Sequence, residues 1–204
     1  AGNSSVSDIY TVIDDTAPPT IAINDPLMVD NIINASEISN VTLSGTVGAV
    51  ASDVGDTVTI KYTDGHVSGT ATTTVSSSYT WQVSGLDLTS FSAANSTLTV
   101  TASATDAAGN TSTLATKNLT IDTVAPLAPT IALQTDSNLT DGITNIGQVN
   151  ITGLEGGDKW QYSINGSNYN SGATLASTVT TATLAASLFS QGSNTVTILE
   201  TDVA

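Results

Sequence analysis

No cysteine and no arginine occur in the 204 residues, and only three lysines, Lys61, Lys117 and Lys159, oppose eighteen acidic side chains. Without cysteine there is neither a disulfide nor a thiolate metal site. With a net charge of −15 and a pI near 4.1, the chain lacks the basic patches that nucleic acid and anionic membrane surfaces require. No apolar run approaches the ~18 residues of a membrane-spanning helix, so no membrane insertion is expected. Aromatic side chains are scarce at 4%, which leaves little material for a sugar-binding platform. No nucleophile elbow, phosphate loop or zinc-ligand spacing is present, so nothing points to an enzyme. The hydrophobic content of 39% is too high for a disordered acidic chain.

What the chain does have is repetition. Thr105-Asp106-Ala107-Ala108-Gly109-Asn110 runs on to Ile121-Asp122-Thr123-Val124-Ala125-Pro126. The same phrase occurs as Ala1-Gly2-Asn3 leading to Ile13-Asp14-Asp15-Thr16-Ala17-Pro18, and it begins again at Thr201-Asp202-Val203-Ala204. Self-similarity at a long, fixed period marks an array of like domains. Between the phrases Thr, Val, Ser and Ile alternate in short runs, parted by Gly, Asn and Asp. Examples are Val41–Val47, Thr57–Tyr62, Thr97–Ser103, Gln148–Leu154, Lys159–Ile164 and Asn194–Leu199. This is the pattern of an all-β sandwich. Asp64-Gly65 and Asn165-Gly166 are tight-hairpin dipeptides. Asn34-Ala35-Ser36-Glu37 has the form of a reciprocal cap for one helical turn.

The pattern predicts tandem immunoglobulin-like β-sandwich domains in an elongated rod. Residues 1–16 are expected to hold the last strand of a preceding repeat and a linker. Residues 17–122 are expected to form a complete repeat, and 123–204 a repeat lacking its last strand. Prolines at Pro18, Pro19 and Pro126 suit stiff joints, because proline fixes φ and removes a donor. Trp81 and Trp160 are expected as core anchors, and His66 as an exposed turn residue.

In such a sandwich the B–C and F–G loops lie beside the incoming linker. For the first repeat this gathers Asp14, Asp15, Asp53, Asp56 and Asp106. For the second it gathers Asp122, Glu155, Asp158 and Asp202. At ~4 Å each like-charged pair costs roughly 1 kcal/mol even in bulk water. A hard divalent cation removes that cost, and Ca2+ takes about 6–8 oxygen ligands. The two sets are therefore candidate calcium sites, against the plainer reading of solvated loop acids. Asp25 with Asp30, and Asp136 with Asp141, form another acidic grouping, for which turn chemistry is the better explanation.

Asp30-Asn31-Ile32-Ile33-Asn34-Ala35-Ser36-Glu37, Val41–Val47, Gly55-Asp56-Thr57-Val58, Trp81 and Thr105–Asn110 resemble a bacterial Ig-like repeat. Val149–Glu155 and Trp160-Gln161-Tyr162-Ser163 resemble a sister subtype. Such repeats build the extender regions of giant biofilm-associated and RTX-type adhesins. The resemblance implies type I secretion, an extracellular location at the bacterial cell surface, and calcium at the junctions between domains. Carried over, the ligands are the nine acids of the two sets, with Glu155 standing where the first repeat has Asp53.

Three roles stay open on the sequence. One is a calcium-rigidified extender whose partners are the neighbouring repeats of the same chain. Another is a filament in which identical chains join head-to-tail by donating a strand. The third is a module that binds a carbohydrate or a surface.

Overall fold

The computed structural model describes every residue except 1, 3, 7, 13, 49, 92–95, 137–141, 173–175, 177, 203 and 204. Ala1, Asn3 and Ile13 of the first phrase, Val203 and Ala204 of the last, and Asp141 therefore lie outside the described residues. The chain divides into two compact units, Ala1–Thr123 and Val124–Ala204.

Among its described residues the first unit carries eight strands: β1 (Ile21–Ile23), β2 (Ile32–Ile33), β3 (Val41–Val47), β4 (Thr57–Thr63), β5 (Ser68–Thr74), β6 (Thr80–Leu86), β7 (Ser96–Thr105) and β8 (Ala115–Ile121). One sheet has the order β1-β3-β6 and the other β2-β8-β7-β4-β5. This is an immunoglobulin-like sandwich whose first strand is split between the sheets, as β1 and β2. Alternation decides what faces inward. On β3, Val41, Leu43, Gly45 and Val47 are buried, and on β7, Leu98, Val100, Ala102 and Ala104 are buried. They meet across the core with Val58, Ile60, Leu119, Ile121 and Trp81.

Trp81 fills the centre, 1% exposed, and its indole N–H donates to the Ala22 carbonyl at 3.2 Å. Gly45 makes room for it: a Cβ there would lie 2.6 Å from the indole ring and 2.0 Å from the Ala22 oxygen. The single turn after β2 carries the expected cap. Asn34 Oδ1 accepts from the N–H groups of Ser36 and Glu37, and Glu37 Oε2 accepts from the N–H of Asn34. His66 is exposed in the β4–β5 turn, where Asp64 Oδ1 accepts from the N–H groups of His66 and Val67.

The second unit carries β9 (Thr130–Leu133), β10 (Val149–Thr152), β11 (Lys159–Ile164), β12 (Asn170–Ser171), β13 (Thr181–Leu184) and β14 (Val196–Thr201). Its sheets run β13-β10-β9 and β12-β11-β14. By order and pairing, β9, β10 and β13 repeat β1, β3 and β6, while β12, β11 and β14 repeat β5, β4 and β7. Among the described residues β14 pairs with β11 alone. Its buried core is smaller: Val149, Ile151, Leu154, Trp160 and Leu184. Asn165 and Gly166, at φ 54° and 71°, form the two-residue hairpin turn that needs positive φ at both positions.

Among the described residues ahead of Ile21 there is no strand, and Val6, Ile9, Tyr10 and Val12 are exposed. No helix of the described residues is long and apolar enough to cross a membrane.

A candidate cation site at the loop ends

Asp53 and Asp56 lie in the β3–β4 loop and Asp106 opens the β7–β8 loop, with Asp14 and Asp15 in the segment that leads into the first unit. The β3–β4 loop begins with a 3-10 turn at Ala51–Asp53. Asp53 folds back over this turn, and its Oδ2 accepts from the Val50 N–H at 3.3 Å. That carboxylate occupies the space beside Gly48, where a Cβ would come within 2.9 Å of it. The Asp56 N–H then donates to the Asp53 carbonyl at 3.2 Å, and Gly55 supplies the left-handed turn at φ 93°. Asp56 is delivered to the first position before β4 and is 5% exposed.

Asp106 belongs to a closed turn. Its Oδ1 accepts from the Asn110 N–H at 2.8 Å and its Oδ2 from the Asn110 side-chain amide at 3.0 Å. The same amide donates to the main-chain oxygen of Asp15 at 3.0 Å. Asn110 thus ties the incoming segment to the β7–β8 loop. The Asp15 carboxylate is turned to its own chain, accepting from the Ala17 N–H at 3.2 Å. Asp14 is exposed.

Electrostatics show which of these acids feel one another. Burial pushes the Asp56 carboxyl above the usual carboxylate range, and the charges of Asp53, Asp106 and Asp15 push it further in the same direction. Asp106 moves the other way, held low by the Asn110 side-chain bond despite some desolvation. Asp56 Oδ2 is shut off from solvent and meets no hydrogen-bond donor among the described residues. A buried carboxylate oxygen without a donor is costly unless a cation or proton satisfies it.

By chemistry alone these acids offer only oxygen, the ligand type a hard cation takes. Among the described residues no three acidic or histidine side chains lie close enough together to hold a metal ion. The group is a set of nearby charges around one buried carboxylate.

The second unit repeats the turn. The Asp158 N–H donates to the Glu155 carbonyl at 3.3 Å, Gly157 has φ 105°, and Asp158 is 3% exposed just before β11. Asp202 follows β14 as Asp106 follows β7. Glu155 Oε1 accepts from the Leu127 N–H at 3.4 Å. Asp122, at the end of β8 in the first unit, donates its N–H to the Ile33 carbonyl at 2.9 Å.

Two residues of these sites escaped the sequence reading. Asn110 is part of the repeated phrase, four residues after Asp106, and that spacing was the available signal. Glu200 carried no signal of its own. It stands two positions before Asp202, where the first unit has the buried Ala104. Its Oε1 accepts from the Glu155 N–H at 2.6 Å, and its Oε2 is shut off from solvent without a donor among the described residues.

The other acidic grouping is differently employed. Asp25 Oδ1 accepts from the Lys117 ammonium at 2.6 Å and from the Asn31 amide at 3.0 Å. Lys117, followed by Asn31, holds its carboxyl below the usual range. Asp30 Oδ1 accepts from the Ile32 N–H, and Asp136 Oδ2 from the Gly142 N–H.

No family model matches the chain, and no curated protein matches it. Solved structures do resemble it. One is a Ca2+-stabilised adhesin that helps an Antarctic bacterium reach out and bind ice, at 26% identity over 91% of this chain and 48% of that one, TM-score 0.47. A second comes from a 1.5-MDa bacterial ice-binding adhesin, at 24% identity over 85% of this chain and 56% of that one, TM-score 0.45. A third is a tetra-tandem repeat from the extending region of a large adhesion protein, at 23% identity over 89% of this chain and 45% of that one, TM-score 0.39. The chain spans about half the length of these structures.

Proposed function

We propose that this chain is a structural segment of a bacterial cell-surface adhesin, a run of Ig-like domains that supports adhesion and biofilm formation and is stiffened by Ca2+. One observation carries the calcium reading. Asp56 is buried, its Oδ2 has no donor among the described residues, and its carboxyl is raised by burial and by the charges of Asp53, Asp106 and Asp15. A hard cation relieves all of these at once. Asp53, Asp56, Asp106 and Asp14 or Asp15 would hold it, and the ion would supply positive charge that binds the incoming segment to the loops. By the correspondence of the repeated phrases, Glu155, Asp158 and Asp202 take the same parts within the second unit. Binding of this kind restricts bending where one domain follows another.

A thermal melt with and without chelator tests the reading. Calcium at about 1 mM, the range of extracellular calcium modules, raises the melting temperature of the wild-type chain. An unchanged melt removes calcium from the account.

A second reading concerns the free side of β14. In the first unit the repeated phrase supplies β8 against β7. The counterpart of β7 is β14, which pairs with β11 alone among the described residues, while the phrase recurs in residues 1–18. Such a strand from an identical chain would add to the edge at β14, joining chains head-to-tail. The mass of the source material on a denaturing gel separates a very long polypeptide from assembled short chains.

A further inference from the structure

We infer that the free side of β5 is an interaction surface that takes the β5 of a second copy of this chain, joining the two five-stranded sheets edge to edge. The contact is lateral and involves neither the candidate cation site nor β14. Among the described residues β5 pairs with β4 alone. Strand edges are ordinarily blunted by charge, proline, a bulge or shortness. β5 has seven residues, Ser68–Thr74, with no charge and no proline, and its register against β4 is unbroken. The other edges of the first unit are blunted. β1 and β2 have three and two residues, and β6 pairs irregularly with β3 and holds Gly85 at φ 72°. Among the described residues of the second unit the counterpart of β5, β12, is two residues long.

The pairing with β4 fixes what this edge offers. Just beyond the two ends of β5, the Val75 N–H donates to the Asp56 carbonyl at 3.0 Å and the Asp64 N–H donates to the Val67 carbonyl at 3.3 Å. Antiparallel pairs alternate between bonded and unbonded positions, so Gly69, Ala71 and Thr73 turn their main-chain groups to β4. Ser68, Thr70, Thr72 and Thr74 turn theirs away from it, and their side chains are exposed. Each of these four residues therefore presents an N–H, a C=O and a small hydroxyl side chain at the edge.

A second β5 satisfies all of them in one register. With Ala71 facing its own copy across a two-fold axis, Ser68 lies opposite Thr74 of the other copy and Thr70 opposite Thr72. Every outward-turned residue of both chains then falls at a bonded position, and the side-chain pairs are hydroxyl with hydroxyl, which suits neighbouring strands. Charge selects the same surface. Two copies at −15 repel each other, and repulsion is least where no acid stands. Neither β5 nor β4 carries one, and beside Ser68, Thr70, Thr72 and Thr74 the outer face of β4 shows Thr63, Lys61, Thr59 and Thr57.

The full chain has no cysteine of its own, so single introduced cysteines report the register. Thr70→Cys chains and Thr72→Cys chains are mixed at high concentration, in high salt to screen their charge, and treated with a mild oxidant. Opposed positions of such a pair lie within disulfide reach, so the mixture should give at least about fivefold more cross-linked dimer than either variant alone. Equal yields in the three samples, or no dimer in any, overturn the inference. Thr72→Pro removes an N–H that points away from β4, a place where an edge strand accepts proline. It should sediment as a monomer under conditions where the wild type shows dimer, and a folded Thr72→Pro chain that still dimerises also overturns the inference. Joining through β14 favours neither cysteine combination, which keeps this outcome separate from the second reading above.

Discussion

The side-chain amide of Asn110 donates to the main-chain oxygen of Asp15 at 3.0 Å, joining residues 95 positions apart. It also donates to the Asp106 carboxylate at 3.0 Å. One neutral side chain therefore fastens the entering segment to the loop that carries a principal acid of the candidate site.

Replacing Asn110 removes both attachments. Asn110→Ala should lower the melting temperature in chelator by about 4 °C, the scale of one lost polar anchor in a unit of this size. It should also let the Asp106 carboxyl rise toward its ordinary value, read by carbon-detected NMR titration. A melt within a degree of wild type would show that the link carries nothing.

Asp56 is predicted to be harmful without a cation and necessary with one. Asp56→Asn should raise the melting temperature in chelator at neutral pH, because a buried, crowded charge is gone. The same variant should lose most of the gain that calcium gives the wild type. If it melts lower in chelator and still gains fully from calcium, Asp56 is not the centre of the site.

The pH dependence has a definite sign. The Asp56 carboxyl is raised in the folded chain, so the fold holds its proton more tightly than the unfolded chain does. Its penalty is full above the raised value and is relieved as pH falls toward the ordinary 3.8. Asp106 is lowered, so its contribution is present above 3.8 and is lost below it, as pH falls through the lowered value. In chelator, stability should rise from neutral pH down toward pH 4, and then fall. Asp56→Asn should flatten the first limb and leave the second, as followed by denaturant melts across pH.

The core makes its own prediction. Gly45→Ala places a methyl group against the Ala22 carbonyl and the Trp81 ring, and neither can retreat from a filled core. The cost should reach about 3 kcal/mol, the upper range for overpacking. Trp81→Ala should cost about 3–5 kcal/mol by opening a cavity. Urea melts read both, and a near-neutral Gly45→Ala would mean that β1 can move away.

Local chemistry made much of this legible in advance. Alternation on Val41–Val47 and on the β7 run announced a sandwich because each strand has one wet face and one buried face. Asp64-Gly65 and Asn165-Gly166 announced hairpins because Gly65, Asn165 and Gly166 take the positive φ that few residues tolerate. The cap at Asn34 and Glu37 was readable because both partners lie within one turn. The acids were readable because the phrase holding them repeats. The split of the first strand into β1 and β2 was not, since two isoleucines carry no mark of which sheet they join.

By itself, then, the sequence determined the fold class, the turns, and which loops bear the acids, all of which depend on neighbours in the chain. Only the tertiary structure decided that Asp56 is the buried member, that Asn110 reaches Asp15, and that Glu200 stands beside Glu155. It alone also decided that β2 runs parallel to β8. Each of these brings together groups far apart in sequence, and desolvation and strand direction have no local signature until packing creates them.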